Sequence, residues 1–281
     1  MFKLLIYVLK VPLEAQHYSQ LTKENCMQRN DNIMRKTIGK ILSKKEFVKV
    51  SGSIIPSPDR RWCGPEFKNN NYYLKSAEAE AHRLINHFQC TQKSRILDVG
   101  CGQGRLPIGI LRAIGELNYI GIDVDKKSIN WCKRFIEKDH SSFKFKHLNL
   151  YNERYNKDGI KIDNHFHFNI EPKNIDIVYL FSVFSHTVEN DMRIYLKEFL
   201  RILDDGGKIF FTTFVEDDVP NVSINPKNYQ LNCAGPLHIV RYNKDYLFSI
   251  IDESGYSIFD YTHGTEADGQ SAIYLSKKND Q

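Results

Sequence analysis

Residues Arg95 to Arg105 read RILDVGCGQGR, and the order of residue types in that run decides the fold. Ile96 and Leu97 are apolar and lead into Asp98. Gly100, Gly102 and Gly104 follow, alternating with Cys101 and Gln103. Leu106 to Leu111 then suits the first turns of a helix, with Pro107 near its start, where a missing N–H costs nothing. The spacing predicts strand, glycine-rich turn, helix. Glycine admits positive φ and lets a ligand lie against bare backbone. The helix N-terminus adds unpaired N–H groups for polar or anionic atoms.

A dinucleotide-binding turn has the spacing G-x-G-x-x-G. Here it is G-x-G-x-G, with an acid two residues before the first glycine. A carboxylate there repels a pyrophosphate but suits a cation, and S-adenosylmethionine carries both an ammonium and a sulfonium. Tyr119 to Ile122 reads as a second strand ending in Asp123. That is the position at which an acid hydrogen-bonds ribose hydroxyls in nucleoside-binding α/β folds. Two strand-end acids around one glycine turn are far more specific than the turn by itself.

The stretch LDVGCGQGR followed by YIGIDVD resembles the class I S-adenosylmethionine-dependent methyltransferases, over roughly Tyr73 to Lys278. IPSPDRRWCGP, HLNLYNERYN and FSVFSHT resemble a loosely characterised bacterial branch of them, met near glycan and natural-product genes. The resemblance implies S-adenosylmethionine as cofactor and S-adenosylhomocysteine as product. It implies a cofactor site at Tyr73, Asp98, Gly100, Cys101, Gly102, Asp123, Val124, Asn149, Leu150 and Phe181. Similar enzymes often hold the adenine amino group with an Asp after the third strand. Asn149 stands there instead, and its side-chain oxygen can accept the same bond. Tyr72 or Tyr73 would close over the methionine end.

The remaining chain alternates as α/β folds do. Strands are expected at Arg95–Val99, Tyr119–Ile122, Phe143–Leu148, Ile175–Leu180 and Lys208–Val215, with a turn at Asp204–Gly207 before the last. Tyr256–Tyr261 and Ser271–Ser276 then form a closing hairpin with one antiparallel strand. Helices are expected over Tyr72–Phe88, after Arg105, over Lys126–Glu137, over Glu189–Leu203 and over Tyr246–Gly255. The expected architecture is a Rossmann-like, seven-stranded, mostly parallel sheet with helices on both faces and a helical N-terminal extension. Residues 1–71 are read as extension and lid, and residues 72–281 as the catalytic domain. Ser51 to Asn71, with three prolines, reads as a loop, and Glu14 to Val50 as helical. The 151–173 connection is long, and long structured loops are often functional. The Pro- and Asn-rich insert over about 216–243 is where this family commonly builds its acceptor pocket.

At 281 residues, 41% hydrophobic and 26% charged, the chain has the composition of an ordinary globular protein. A net charge of +5 is a modest excess, and no aromatic-basic alternation marks an RNA-binding sheet, so only weak, salt-sensitive nucleic-acid binding is expected. Residues 1–13 are apolar but too short to span a bilayer, and pack on a partner or domain, or rest at a membrane interface. Six cysteines without a C-x-x-C pair point to a reducing cytoplasm rather than a disulfide scaffold or zinc ribbon. His165 and His167 lack a nearby third ligand, so no metal is expected. Oligomeric state is not legible.

Methyl transfer needs alignment more than covalent help, and a hydroxyl acceptor also needs its proton removed. His186, shortly after the fourth strand, is the first candidate base, against a purely packing role; His238 in the insert is the second, and His263 a weaker third. Trp62, Phe184 and Arg241 are candidates for the acceptor walls. FSVF stands where amino-methylating nucleic-acid enzymes carry (D/N)-P-P-(Y/F), and no Pro-Cys pair offers a cytosine-attacking thiol. A small-molecule acceptor, methylated on oxygen, leads over RNA, protein or a cofactor-binding subunit without turnover.

Overall fold

A computed structural model describes residues 46–278 apart from Cys63, Asn228 and Ala234. The expectations for residues 1–13 and for the helical extension up to residue 45 lie outside the described residues. From Phe47 onward the chain packs as one unit. Its elements in order are β1 (Phe47–Val50), β2 (Ser53–Pro56), α1 (Asn70–Phe88), β3 (Arg95–Val99), α2 (Arg105–Ala113), β4 (Asn118–Asp123) and α3 (Lys126–Cys132). They continue with β5 (Phe143–His147), β6 (Ile175–Leu180), α4 (Glu189–Ile202), β7 (Leu203–Glu216), β8 (Val222–Ile224), β9 (Val240–Asn243), α5 (Lys244–Glu253), β10 (Tyr256–Thr262) and β11 (Ser271–Lys277).

Seven strands lie in the order β10-β11-β7-β6-β3-β4-β5. Neighbours run parallel except β11, which is antiparallel to both β7 and β10. The central strands are buried on both faces, so they read as near-continuous apolar runs. Successive residues serve opposite faces. Ile96, Ile177, Tyr179, Phe210 and Tyr274 join a core with α1, α2 and α3. Their neighbours Leu97, Val178, Leu180, Phe211 and Leu275 join a second core with α4 and α5. At the β5 edge the pattern turns to alternation: Phe143 and Phe145 are buried while Lys144 and Lys146 are exposed, and edge lysines discourage further pairing.

From β3 the chain moves one way through β4 and β5, then returns to β3's other side for β6 and β7. That reversal leaves a crevice at the C-terminal strand ends, where ligands bind in open α/β sheets.

Two local expectations are corrected. Phe47–Val50 is a strand rather than helix, and pairs antiparallel with Ser53–Pro56, inside the stretch expected to be a loop. Ile55 is fully buried and Val48, Val50 and Ile54 pack on the α1–α3 core, which outweighs the turn-forming residues around them. The Asp204–Gly207 turn is carried inside β7 as an irregularity, its pairing with β6 shifting between Ile175 and Ile177. Within the insert, β9 extends the sheet parallel to the far end of β7, and β8 pairs with β9. Among the described residues no helix is long and apolar enough to cross a membrane.

Candidate active site

The glycine turn is held to β4 from both sides. Gly100 N and Cys101 N donate to Ile122 O at 2.8 and 3.1 Å. Gly102 N donates to Asp123 Oδ2 at 2.8 Å, and Asp125 N to Asp123 Oδ1 at 2.7 Å. Each oxygen of Asp123 is thus oriented by a backbone amide and keeps a lone pair for a ligand hydroxyl. Gly100, at φ +77, has no room for a side chain, since a Cβ would stand 2.5 Å from Val183 Cγ2. Gly102, at φ +51, has nothing within 4 Å of its missing Cβ: the space above it is cavity.

That cavity, of about 310 Å³, runs from the glycine turn past the end of β6 to the insert. Of the residues proposed for the cofactor, Tyr73, Asp98, Gly100, Cys101, Gly102, Asp123, Val124, Leu150 and Phe181 line it. Asn149 does not. It is exposed, and its Oδ1 accepts from Asn156 Nδ2 at 3.1 Å. Leu148 and Leu150 face the cavity instead, because residues two apart in an extended segment share a side and the one between them points away.

Asp98 is 3% exposed and accepts from Tyr119 Oη at 2.5 Å. Burial pushes its carboxyl up to about 7, opposed by the Tyr119 bond and by Arg105 nearby. Burial likewise raises Asp123 to about 6, against its two backbone donors. Two buried acids beside an open glycine cradle fit a ligand with cationic groups and ribose hydroxyls, so S-adenosylmethionine fits the residues present. A bound cation favours ionised Asp98, so binding is expected to release a proton. Affinity should then weaken as pH falls below about 7, by at most about tenfold per unit, and level off above it. Calorimetry of S-adenosylhomocysteine binding in buffers of different ionisation enthalpy reads that proton. Without ligand the sign reverses: the raised carboxyl supports folding at low pH, and that support is lost as pH rises through about 7.

The opposite end of the cavity is built from the turn after β6 and from two loops. His186 closes a short 3-10 turn, Phe184–His186. Its Nδ1 lies 3.1 Å from Leu237 O, in the insert just before β9. A carbonyl only accepts, so Nδ1 carries the hydrogen and Nε2 the lone pair. His238 stacks on the ring at 6.3 Å and 17°, and Tyr155 meets it edge-on at 5.9 Å. Burial holds the His186 imidazole down at about 4, and Arg154 and His238 push the same way. His238 is lowered too, by burial and then by Arg154. Both imidazoles are neutral at pH 7.

Among the proposed acceptor residues, only Trp62 lines the cavity. Phe184 is fully buried beneath it, against Tyr195 and Phe211. Arg241 lies over the Tyr229 ring at 5.3 Å, away from the site. His263 is exposed and hydrogen-bonds Tyr261 and Ser271. Trp62 donates Nε1 to Ser128 Oγ at 3.2 Å and meets Tyr155 edge-on at 6.1 Å, so it spans from the Asp123 side to the acceptor side. Arg61 next to it is buried and binds Pro56 O, Phe67 O and Asn70 Oδ1, which pins the segment as a lid edge. Sequence reasoning missed Asn152, Arg154 and Tyr155, which come from the long 151–173 connection and line the cavity. Their signal was the length of that loop. Of the His165–His167 pair, His167 Nδ1 lies 2.9 Å from Oε2 of buried Glu198, and His165 is exposed.

Residues 97–209 match the family model described as a methyltransferase domain. Over 136 residues the chain is 24% identical to an uncharacterized methyltransferase of Schizosaccharomyces pombe, a match covering 48% of this chain and 44% of that protein. The matched region is therefore under half the length of this curated relative. The fold is similar to that of the PH0226 protein from Pyrococcus horikoshii OT3, at TM-score 0.52 and 14% identity, over 75% of this chain and 93% of that one. It is also similar to the 1,6-didemethyltoxoflavin-N1-methyltransferase of Burkholderia thailandensis, whose structure holds 1,6-didemethyltoxoflavin and S-adenosylhomocysteine. That likeness has TM-score 0.50 and 12% identity, over 96% of this chain and 94% of that one.

Proposed function

We propose that this chain, whose residues 97–209 match a methyltransferase-domain family model, is a class I S-adenosylmethionine-dependent methyltransferase that methylates a small molecule on a hydroxyl oxygen. The observation that carries the reading is the second end of the cavity: His186 Nε2, a neutral imidazole nitrogen with its lone pair free of its own hydrogen, in the cleft that holds Asp98 and Asp123. The cofactor supplies an electrophilic methyl group on a sulfonium. The chain's residues do the rest. Asp98 and Asp123 bind and orient the cofactor. His186 accepts the proton of the acceptor hydroxyl at Nε2. His238 and Arg154 position the acceptor.

A small acceptor is supported by the aromatic rings at the cavity's acceptor end. Trp62 and Tyr155 both line the cavity and meet edge-on from two different loops, a pair of aromatic walls suited to a small organic acceptor. An assembled cavity with a proton acceptor also supports an enzyme over a cofactor-binding subunit without turnover. Free thiols at Cys90, Cys101, Cys132 and Cys233 accord with a reducing, cytoplasmic setting.

Incubation with methyl-tritiated S-adenosylmethionine and fractionated cell extract tests the proposal. Label is expected in the low-mass organic fraction, in a base-stable ether. Label in the RNA or protein fraction instead would overturn the acceptor class.

A further inference from the structure

Behind His186 lies a set of polar groups to which the chemistry above assigns no role. Ser182, two residues past β6, has φ +57, a left-handed backbone conformation uncommon outside glycine and often found at functional sites. Its N–H donates to Thr212 Oγ1, on β7, at 2.8 Å. Thr212 Oγ1 donates to Gln270 Oε1 at 2.7 Å, and Gln270 Nε2 donates to Ser182 Oγ at 2.9 Å. Thr212 is 0% and Gln270 1% exposed. The strained serine is held by a closed ring of three hydrogen bonds.

The ring has a direction. Thr212 has one proton, and it goes to Gln270 Oε1. Turning the amide over would strand the Thr212 proton against an N–H₂ in a site where Thr212 is fully buried. Gln270 therefore donates to Ser182, and one lone pair of Ser182 Oγ is used. Ser185 Oγ, fully buried, lies 3.1 Å from the same oxygen and His186 Nε2 lies 3.4 Å from it. Nε2 has no hydrogen, so it can only accept. Either serine can donate across the 3.1 Å contact; with Ser185 as the donor and Gln270 filling the other lone pair, the Ser182 proton goes to the imidazole.

We propose that Gln270 and Thr212 are positioning residues which orient the Ser182 hydroxyl toward Nε2 of His186 and so preset that nitrogen as an acceptor. The 3.4 Å contact is long and yields easily. An incoming hydroxyl that displaces it meets a lone pair instead of an N–H. That consequence rests on the methyl-transfer reading; the orientation of Ser182 does not. Neither residue is near His186 in sequence, and Gln270 reaches it only through the serine.

The test reads the His186 ring by nitrogen-15 NMR in the full chain saturated with S-adenosylhomocysteine, with the signal assigned from a His186→Gln spectrum. The charged and titratable groups facing the ring, Arg154, His238 and Tyr155, stay unchanged throughout. In the unaltered protein the ring should be neutral with hydrogen on Nδ1. Gln270→Glu reverses the ring, because a carboxylate accepts from Ser182 and turns the serine's lone pairs toward Nε2. The proton affinity of His186 should rise by more than about tenfold. Gln270→Leu removes the donor without adding charge, and should raise it about threefold. A rise with Gln270→Glu alone would show a charge effect and overturn the proposal, as would no rise in either. If Gln270→Glu fails to fold, Gln270→Leu decides. A failure of label transfer would remove the methyl-transfer reading and leave this result standing.

Discussion

His186→Ala is expected to lower turnover by about 10²- to 10⁴-fold, the range for loss of a positioned proton acceptor. The ring is anchored through Nδ1 to Leu237 O, and Nε2 faces Ser182 Oγ at 3.4 Å, a long contact that an incoming hydroxyl would displace. Burial holds the imidazole near 4, so its lone pair is present at neutral pH. Turnover at saturating cofactor should stay level from about pH 5 upward as far as this group decides it, and fall as pH drops toward 4, where Nε2 takes a proton. The same lowered value contributes stability above the ordinary histidine pKa of 6.5, and that contribution is lost between 6.5 and about 4. Label transfer at saturating cofactor measures the effect. Affinity for S-adenosylhomocysteine should hardly change, because the ring lies beyond the cofactor end. Full turnover in the variant would leave His186 a positioning role at most. His238→Ala should mainly raise KM.

Asp123→Ala should weaken S-adenosylhomocysteine binding by on the order of 1.5–3 kcal/mol, a factor of about 10–150. The side chain is held by Gly102 N and Asp125 N. Its removal takes away the ribose acceptors and leaves two backbone donors without their carboxylate. Calorimetry at pH 8 keeps this effect apart from the titration of Asp98. Equal affinity in the variant would exclude Asp123 as the ribose ligand. Better binding of NAD than of S-adenosylhomocysteine would exclude the cofactor assignment itself.

The features legible in the sequence are the local ones. Asp98 and Asp123 were found because each ends an apolar run, and a strand's end is set by a few neighbouring residues. The glycine turn was found because positive φ restricts residue choice at single positions. The alternation of strands and helices followed from buried runs and helical spacing, and the single antiparallel strand from the resemblance. His186 was reachable because it lies six residues beyond β6, so chain connectivity alone brings it to the crevice.

What faces the cavity at each of those places was decided only by tertiary structure. Phe184 and His186 are two residues apart, yet one is sealed against Tyr195 and Phe211 and the other lines the site. A 3-10 turn swings successive side chains about a third of a turn apart, and the left-handed Ser182 just before it sets where that rotation begins. Asn149 and Leu150 differ by one residue, and extended backbone sends them to opposite sides. Trp62 and Tyr155 meet from loops 93 positions apart, and Thr212, Gln270 and Ser182 close a ring from three separate segments. Such partners share no local spacing, since packing across the sheet brings them together only when the whole core forms.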